Sequence, residues 1–270
     1  MKTIGLLHGM SSVATGDYYR KINDGVNRGL GGHERPELLL YSVNFGDIER
    51  FVRQERWDDA ADYLTDRAMR LQAAGADFVV CGSNTMHRVA PALESALDVP
   101  FVHIADVVAD AALRQRVRIL GVLGTRPVME ADFYRERLER RGIEMLTPTA
   151  ADRTLVDDVI FEELTQNEFR AESREEYLRI IRELIDRGAQ AVLLGCTEIC
   201  LLVKPEDLPD VTLLDSTQLH VDRVVQLALS RTLVDNVGYP PPAGRAARAA
   251  DWLFRTSHRA PNGRSGRWHL

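Results

Sequence analysis

The chain has 270 residues, enough to bury a sizeable core, and its 45% apolar and 27% charged residues are ordinary for a globular protein. A net charge of −6 argues against a nucleic-acid partner, and no apolar run is long enough to span a membrane. The apolar N-terminus lacks the features of a signal peptide, and Cys81, Cys196 and Cys200 have neither disulfide nor zinc spacing. We therefore expect a cytoplasmic protein with no nucleic-acid, membrane or metal partner.

Short apolar strands alternate with amphipathic helices between positions 1 and 230. In chain order the pattern predicts a strand near 4–7, a helix at 15–28, a strand at 38–43, a helix at 57–74 and strands near 78–81 and 102–104. The prediction continues with a strand near 120–123, helices at 129–141 and 174–187, strands near 191–194 and 212–215, and a helix at 217–229. Strands that alternate with helices favour a mainly parallel sheet with helices on both faces.

Two segments of the chain match each other without gaps. One runs from Leu71 to Thr85 and the other from Leu184 to Glu198, and each predicts a helix end, a Gly-Ala turn, a buried strand and a glycine-containing junction. Two further matches, 4–10 with 120–125 and 102–106 with 212–215, occur in the same order. The repeat, measured from Leu71 to Leu184, is far too long for one unit of a solenoid and indicates duplicated domains. We therefore predict an α/β fold of two pseudo-symmetric, doubly wound domains with mainly parallel sheets.

The predicted first half comprises residues 1–115 together with a C-terminal helix at 216–230, and the second half comprises 116–215. Residues 231–270 carry seven arginines against two aspartates and are predicted to form a flexible basic tail. Ligands of parallel α/β sheets bind beyond the carboxyl ends of the strands. We therefore expect the active site between the halves, with Gly82-Ser83-Asn84-Thr85 and Gly195-Cys196-Thr197-Glu198 facing one pocket.

Cys196 is the predicted reactive group. It directly follows a glycine at a strand-to-helix junction, where a helix N-terminus would favour an anion and lower the pKa of a thiol. Cys81 and Cys200 do not share this context, whereas His8, in a glycine-bounded loop at a strand end, is a candidate to touch substrate. The loop around His8 matches neither a Walker sequence nor a dinucleotide fingerprint, which argues against a nucleotide.

Together these segments resemble the cofactor-independent aspartate/glutamate racemase family over residues 1 to about 229. The motifs that carry the resemblance are Gly9-Met10-Ser11, Ser83-Asn84-Thr85-Met86-His87, Leu123-Gly124-Thr125-Arg126 and Leu194-Gly195-Cys196-Thr197-Glu198-Ile199. The resemblance implies a two-domain enzyme with a pseudo-twofold axis and commonly a homodimer. It also implies an isomerase that removes and returns the Cα proton of an amino acid without pyridoxal phosphate or another cofactor.

The chain departs from the family pattern at Ser83, because members of the family usually carry the thiol of the first half at this position. Some members of the branch with Asn-Thr-Met-His are similar in carrying a hydroxyl residue there. A thiol ionises near pKa 8.5, whereas an alcohol is a far weaker acid and a poor base. The two halves are therefore predicted to be chemically unequal, with Cys196 abstracting the proton and Ser83 returning one, directly or through water.

We predict an acidic substrate, aspartate or glutamate, in a pocket that stabilises an enediolate-like carboxylate. Met10 and Ser11 would wall the pocket, Asn44 would reach the substrate, and Glu198 would orient a donor or bind the ammonium group. The groups predicted to stabilise the carboxylate are backbone N–H groups and the side chains of Asn84, Thr85, Thr125 and Thr197. Arg50, Arg53 and Arg126 are candidates to bind a distal carboxylate, although the sequence assigns none of them.

Two other hypotheses stay open at this point. One is a one-thiol decarboxylase or isomerase of the same superfamily, in which Cys196 protonates a carbanion. The other is a catalytically degenerate protein that binds an acidic metabolite, for which Ser83 and His8 are the motivation.

Overall fold

The computed structural model of the protein describes residues 1–230, so the predicted basic tail at 231–270 lies outside the described residues. None of the helices within 1–230 is both long enough and apolar enough to cross a membrane. The described chain forms two four-stranded sheets in which every neighbouring pair of strands is parallel.

The first sheet has the strand order β2-β1-β3-β4 and the second has the order β6-β5-β7-β8. The strands of the first sheet are β1 Ile4–His8, β2 Leu38–Ser42, β3 Phe78–Cys81 and β4 Phe101–Val102. Those of the second sheet are β5 Ile119–Gly124, β6 Glu144–Leu146, β7 Ala191–Gly195 and β8 Leu213–Asp215. The central strands β1, β3 and β7 are buried along their whole length, as apolar strands covered on both faces must be.

Eleven α-helices surround these sheets within residues 1–230. The first six are α1 Ser12–Leu30, α2 Phe45–Arg53, α3 Trp57–Ala73, α4 Ala90–Ala96, α5 Ile104–Arg114 and α6 Arg126–Glu130. The others are α7 Asp132–Glu139, α8 Ala150–Glu162, α9 Ala171–Asp186, α10 Ile199–Leu202 and α11 Ser216–Leu229. A 3₁₀ helix at Thr85–Val89 follows β3.

Local sequence explains where the helices begin and end. Ser11 caps α1 by accepting a hydrogen bond from the N–H of Ala14, and the apolar side of α1 repeats every four residues through Tyr18, Ile22 and Val26. The single helix predicted at 129–141 is wrong, because Ala131 adopts an extended conformation and divides it into α6 and α7. The sequence did not predict α2, α5 or α8.

The internal duplication is confirmed by the topology. The two sheets have the same strand order, and β3 and β7 occupy the two segments that match without gaps. Gly75 and Gly188, at matched positions before these strands, both have a φ of 101°. Only glycine adopts this conformation without strain, so the Gly-Ala signal in both copies marks the same turn.

Two helices each pack against the sheet of the other copy. The helix α5, which follows β4, packs Ile104, Ala105 and Val108 into the core beneath Leu120 and Val122 of the second sheet. In the same way α11, which follows β8, packs Val221, Val224 and Leu227 against Ile4 and Leu6 of the first sheet. Each sheet is therefore covered in part by a helix from the other copy, which ties the two halves together.

Candidate active site

The candidate active site is a cleft between the carboxyl ends of the two sheets. In each sheet the chain connections reverse direction beside the first strand, so a crevice opens at the ends of β1 and β3 and at the ends of β5 and β7. The cleft contains about 500 Å³ of empty space when its open mouth is counted. The predicted site residues that line this cleft are Met10, Ser83, Asn84, Thr85, Thr125, Cys196, Thr197 and Glu198.

The second half contributes a thiol and a carboxylate that touch each other. The Sγ atom of Cys196 lies 3.2 Å from Oε2 of Glu198, to which it donates. Glu198 is only 2% exposed, and it also accepts hydrogen bonds from the hydroxyls of Thr197 and Ser11, both at 2.5 Å. The carboxylate therefore gathers three donors, one of them from the opposite half.

The thiol is held in its protonated form. Burial raises the pKa of Cys196 well above its usual range, and the negative charge of Glu198 raises it further. The expectation that a helix N-terminus lowers this pKa is therefore wrong, since the helix that follows, α10, has four residues and begins three positions later. Burial likewise raises the pKa of Cys81 and of Cys200 to about 12.

The first half places Ser83 at the position that matches Cys196. Its hydroxyl accepts a long hydrogen bond, 3.4 Å, from the N–H of Met86. Its carbonyl accepts from Nδ1 of the buried His87 at 2.7 Å, while Nε2 of His87 accepts from the N–H of Ile104 at 3.1 Å. His87 is thus a structural histidine that fixes the peptide of Ser83.

Polar contacts join the two halves across and beneath the cleft. The hydroxyls of Thr85 and Thr125 lie 2.8 Å apart. The side-chain amide of Asn84 donates to the Ser216 hydroxyl at 2.9 Å and accepts from the Tyr134 hydroxyl at 3.2 Å. The amide of Asn84 is therefore engaged in holding the halves together. No local signal indicates its two partners, because both are distant from it along the chain.

Three predicted candidates lie outside the lining of the cleft. Asn44 is exposed and caps α2 through the N–H of Gly46. Ser11 reaches the site only through its hydrogen bond to Glu198. His8 is fully buried, and its Nδ1 accepts from the N–H of Gly9 at 2.9 Å.

The outer walls of the cleft come from helices that the sequence did not predict. The wall of the first half is α2, through Phe45, Ile48 and Val52, and the wall of the second half is α8, through Ile160 and Phe161. The lining also includes Glu49, Met86, Thr165 and Gly195. The strongly amphipathic pattern of α2 would have suggested its residues, whereas α8 has no such pattern and the pairing of the two helices across the cleft is a tertiary contact.

Four buried histidines, His8, His87, His103 and His220, lie close together under the first sheet's carboxyl edge, with rings as near as 4.5 Å. Burial is the main cause that lowers the pKa of each. Within residues 1–230 no group of histidine, cysteine or carboxylate side chains has an arrangement that could hold a metal ion.

Known proteins share this fold at high similarity. A solved structure from Yersinia pestis, provisionally named an Asp/Glu racemase, superimposes with a TM-score of 0.80, is 42% identical and covers 85% of this chain and 100% of its own. The Pyrococcus horikoshii protein PH1733, an aspartate racemase homologue, gives a TM-score of 0.71 at 34% identity and covers 84% and 99% of the two chains. The broad specificity amino-acid racemase RacX of Bacillus subtilis is 26% identical over 149 residues, which are 53% of this chain and 63% of that protein.

Fold and site together define a two-domain, pseudo-symmetric α/β protein with its candidate active site between matched strand ends. A family model described as Asp/Glu/hydantoin racemase matches residues 7–224. The chain belongs to this racemase family.

Proposed function

We propose that the protein is an amino-acid racemase or epimerase that exchanges the Cα proton between Cys196 and Ser83 without pyridoxal phosphate. The observation that carries the proposal is the placement of these two residues. They occupy matched positions in the duplicated sheets and line the same cleft from opposite halves. A substrate whose Cα lies between them can lose its proton to one side, and the planar carbanion that forms can gain a proton from the other.

The contact between Cys196 and Glu198 supplies a route for the proton. Because the thiol is protonated and donates to the carboxylate, transfer of that proton to Glu198 gives the thiolate that abstracts the Cα proton. The hydroxyl of Ser83 then donates a proton to the opposite face. Water reprotonates Ser83, and Glu198 gives the proton that it accepted to the resulting hydroxide, which restores the resting enzyme. Since serine is the poorer base, kcat should be higher for the enantiomer whose Cα proton faces Cys196, while kcat/KM is equal for the two enantiomers because their equilibrium constant is 1.

The carbanion also needs stabilisation at the substrate carboxylate. Thr85 and Thr125 share one hydrogen bond, so one of the two hydroxyls keeps a proton that can be donated to a carboxylate oxygen. Thr85 belongs to the first half and Thr125 to the second. The hydroxyl donor is therefore preorganised only when the two halves are in contact.

An acidic substrate, aspartate or glutamate, is the prediction from the sequence. The names of two similar proteins support it, whereas a third is a racemase of broad specificity. A homodimer likewise stays part of the proposal, and light scattering of the purified protein tests it.

The reaction is tested by incubating L- and D-amino acids with the protein in deuterated water. Racemisation predicts the opposite enantiomer with deuterium at Cα, and Cys196→Ser should abolish this exchange. Ser83→Ala should slow it, and Ser83→Cys should make the kcat values for the two enantiomers more equal. A decarboxylase would leave the amino acids without exchange, and a binding protein would show ligand-induced thermal stabilisation alone. Unchanged exchange in Cys196→Ser would contradict the mechanism.

A further inference from the structure

The lining of the cleft has two chemically different parts. The segments that follow the strands carry the hydroxyls, the thiol and Glu198 that the proposed proton transfer uses. The helices α2 and α8 add Ile48 and Val52 from the first half and Ile160 and Phe161 from the second. These four residues are apolar surface that the side chain of a substrate can contact when its Cα lies between Ser83 and Cys196.

The described lining offers no cation to pair with a second carboxylate. Among the described residues that line the cleft there is no lysine, arginine or histidine, and the two charged groups that line it, Glu49 and Glu198, are both acids. A carboxylate here would lose its hydration without gaining a cation and would face like charges, which is unfavourable on both counts.

The three arginines considered from the sequence are committed elsewhere. Arg50 pairs with Asp47 on the outside of α2. Arg126 donates from its guanidinium to Thr154 at 3.5 Å and does not line the cleft.

Arg53 stands at the mouth of the cleft rather than inside it. Its Nε donates to Glu49 at 2.9 Å, and its terminal nitrogen lies 3.4 Å from Glu162 of the second half. The guanidinium also lies 5.3 Å from the ring centre of Phe161. Turning it inward to meet a substrate would break both ion pairs and leave Glu49 beside the incoming carboxylate.

We propose that Ile48, Val52, Ile160 and Phe161 form a side-chain subsite for a neutral aliphatic amino acid, such as leucine or methionine. This inference rests on the proposed racemase function, because it takes Cys196 and Ser83 as the groups that flank Cα. It replaces the acidic substrate predicted from the sequence with a neutral one. A neutral aliphatic side chain buries apolar surface against these four residues and leaves the arrangement of Arg53 unchanged.

Binding and exchange are measured separately, so the two proposals fail in different ways. Binding is followed by thermal stabilisation with α-methyl-leucine and α-methyl-aspartate, which have no Cα hydrogen and cannot react. Exchange is followed by Cα deuteration of leucine, methionine, aspartate and glutamate. We expect tighter binding of α-methyl-leucine, and kcat/KM for leucine or methionine at least about 100-fold above that for the acids.

Tighter binding of α-methyl-aspartate, or faster exchange of the acids, overturns the subsite and leaves the racemase intact. Preference for α-methyl-leucine with no exchange of any amino acid supports the subsite and contradicts the racemase. Failure of both analogues to stabilise the protein overturns the subsite as well.

A charge placed in the subsite should reverse the preference. Val52→Lys and Phe161→Lys change half-buried residues of the lining, where a long lysine side chain can be accommodated. Each should shift the ratio of α-methyl-aspartate to α-methyl-leucine affinity by at least about 10-fold toward the acid. Gln54→Lys adds the same charge at the exposed end of α2 and should leave the ratio unchanged.

Because the ratio compares two ligands on one variant, partial unfolding of that variant does not produce the shift. An unchanged ratio in both lining variants overturns the subsite. The variant Arg53→Gln tests whether Arg53 turns inward to bind an acidic side chain. Loss of α-methyl-aspartate binding in this variant would show that it does and would overturn the subsite.

Discussion

Replacing Glu198 with glutamine tests the role of the carboxylate beside the thiol. The carboxylate accepts from Ser11 and Thr197 at 2.5 Å and from Cys196 at 3.2 Å. Glutamine has one oxygen and an NH₂ group that only donates, so at least one of the three donors loses its acceptor. A buried donor without an acceptor costs about 1–3 kcal/mol. We expect the free energy of unfolding to fall by roughly 2 kcal/mol, which corresponds to a decrease in Tm of about 4–8 °C.

The same substitution should move thiol acidity and activity in opposite directions. The charge of Glu198 raises the pKa of Cys196, so its removal lowers that pKa and increases the thiolate fraction about tenfold for each unit. Cα exchange should nevertheless fall by about 10²–10⁴-fold, because the group that accepts the thiol proton is gone.

Alkylation of Cys196 by iodoacetamide as a function of pH, followed by mass spectrometry, measures the thiolate, and deuterium incorporation measures exchange. Glu206→Gln is the matched control, since it removes the same charge from an exposed position of the second half. If exchange rose together with alkylation in Glu198→Gln, thiol acidity alone would govern the reaction and the proton-acceptor role would be refuted.

Two further predictions concern stability against acid and the contact across the cleft. Burial lowers the pKa of His8 and His87 to about 3 and of His220 to about 4, so the unfolded chain binds more protons below pH 6.5 and stability is lost as pH falls from 6.5 toward 4. We expect urea unfolding to give a free energy of unfolding that is lower at pH 5 than at pH 7 by on the order of 1–2 kcal/mol for each histidine. Equal free energies at the two pH values would contradict buried, neutral histidine rings. Thr125→Val removes the hydroxyl that meets Thr85 and should lower kcat about 10-fold or more with a small change in Tm, whereas Thr154→Val, at an exposed threonine of α8, should change neither.

Several elements of the fold were predictable because their signals are local. The runs 78–81 and 191–194 are apolar throughout, as buried parallel strands require, and each follows a glycine turn that side chains rarely permit. The division of the predicted helix at 129–141 was not predictable, because Ala131 carries no helix-breaking signal of its own.

In the candidate site, too, the sequence predicted the features that depend on local signals. The motifs around Ser83 and Cys196 follow buried strands, so strand periodicity was enough to bring them to one edge of each sheet. Asn44 also follows a strand, yet its side chain caps α2, a local alternative that strand position does not distinguish.

Periodicity and spacing along one chain are enough to establish the duplication, the parallel α/β class and the unequal residues at the matched positions 83 and 196. The protonation state of the thiol depends instead on tertiary contacts, since the burial of Cys196 and its contact with Glu198 outweigh a helix terminus of four residues. The walls formed by α2 and α8 also depend on the tertiary structure, because α2 belongs to the first half of the chain and α8 to the second, and both line the same cleft.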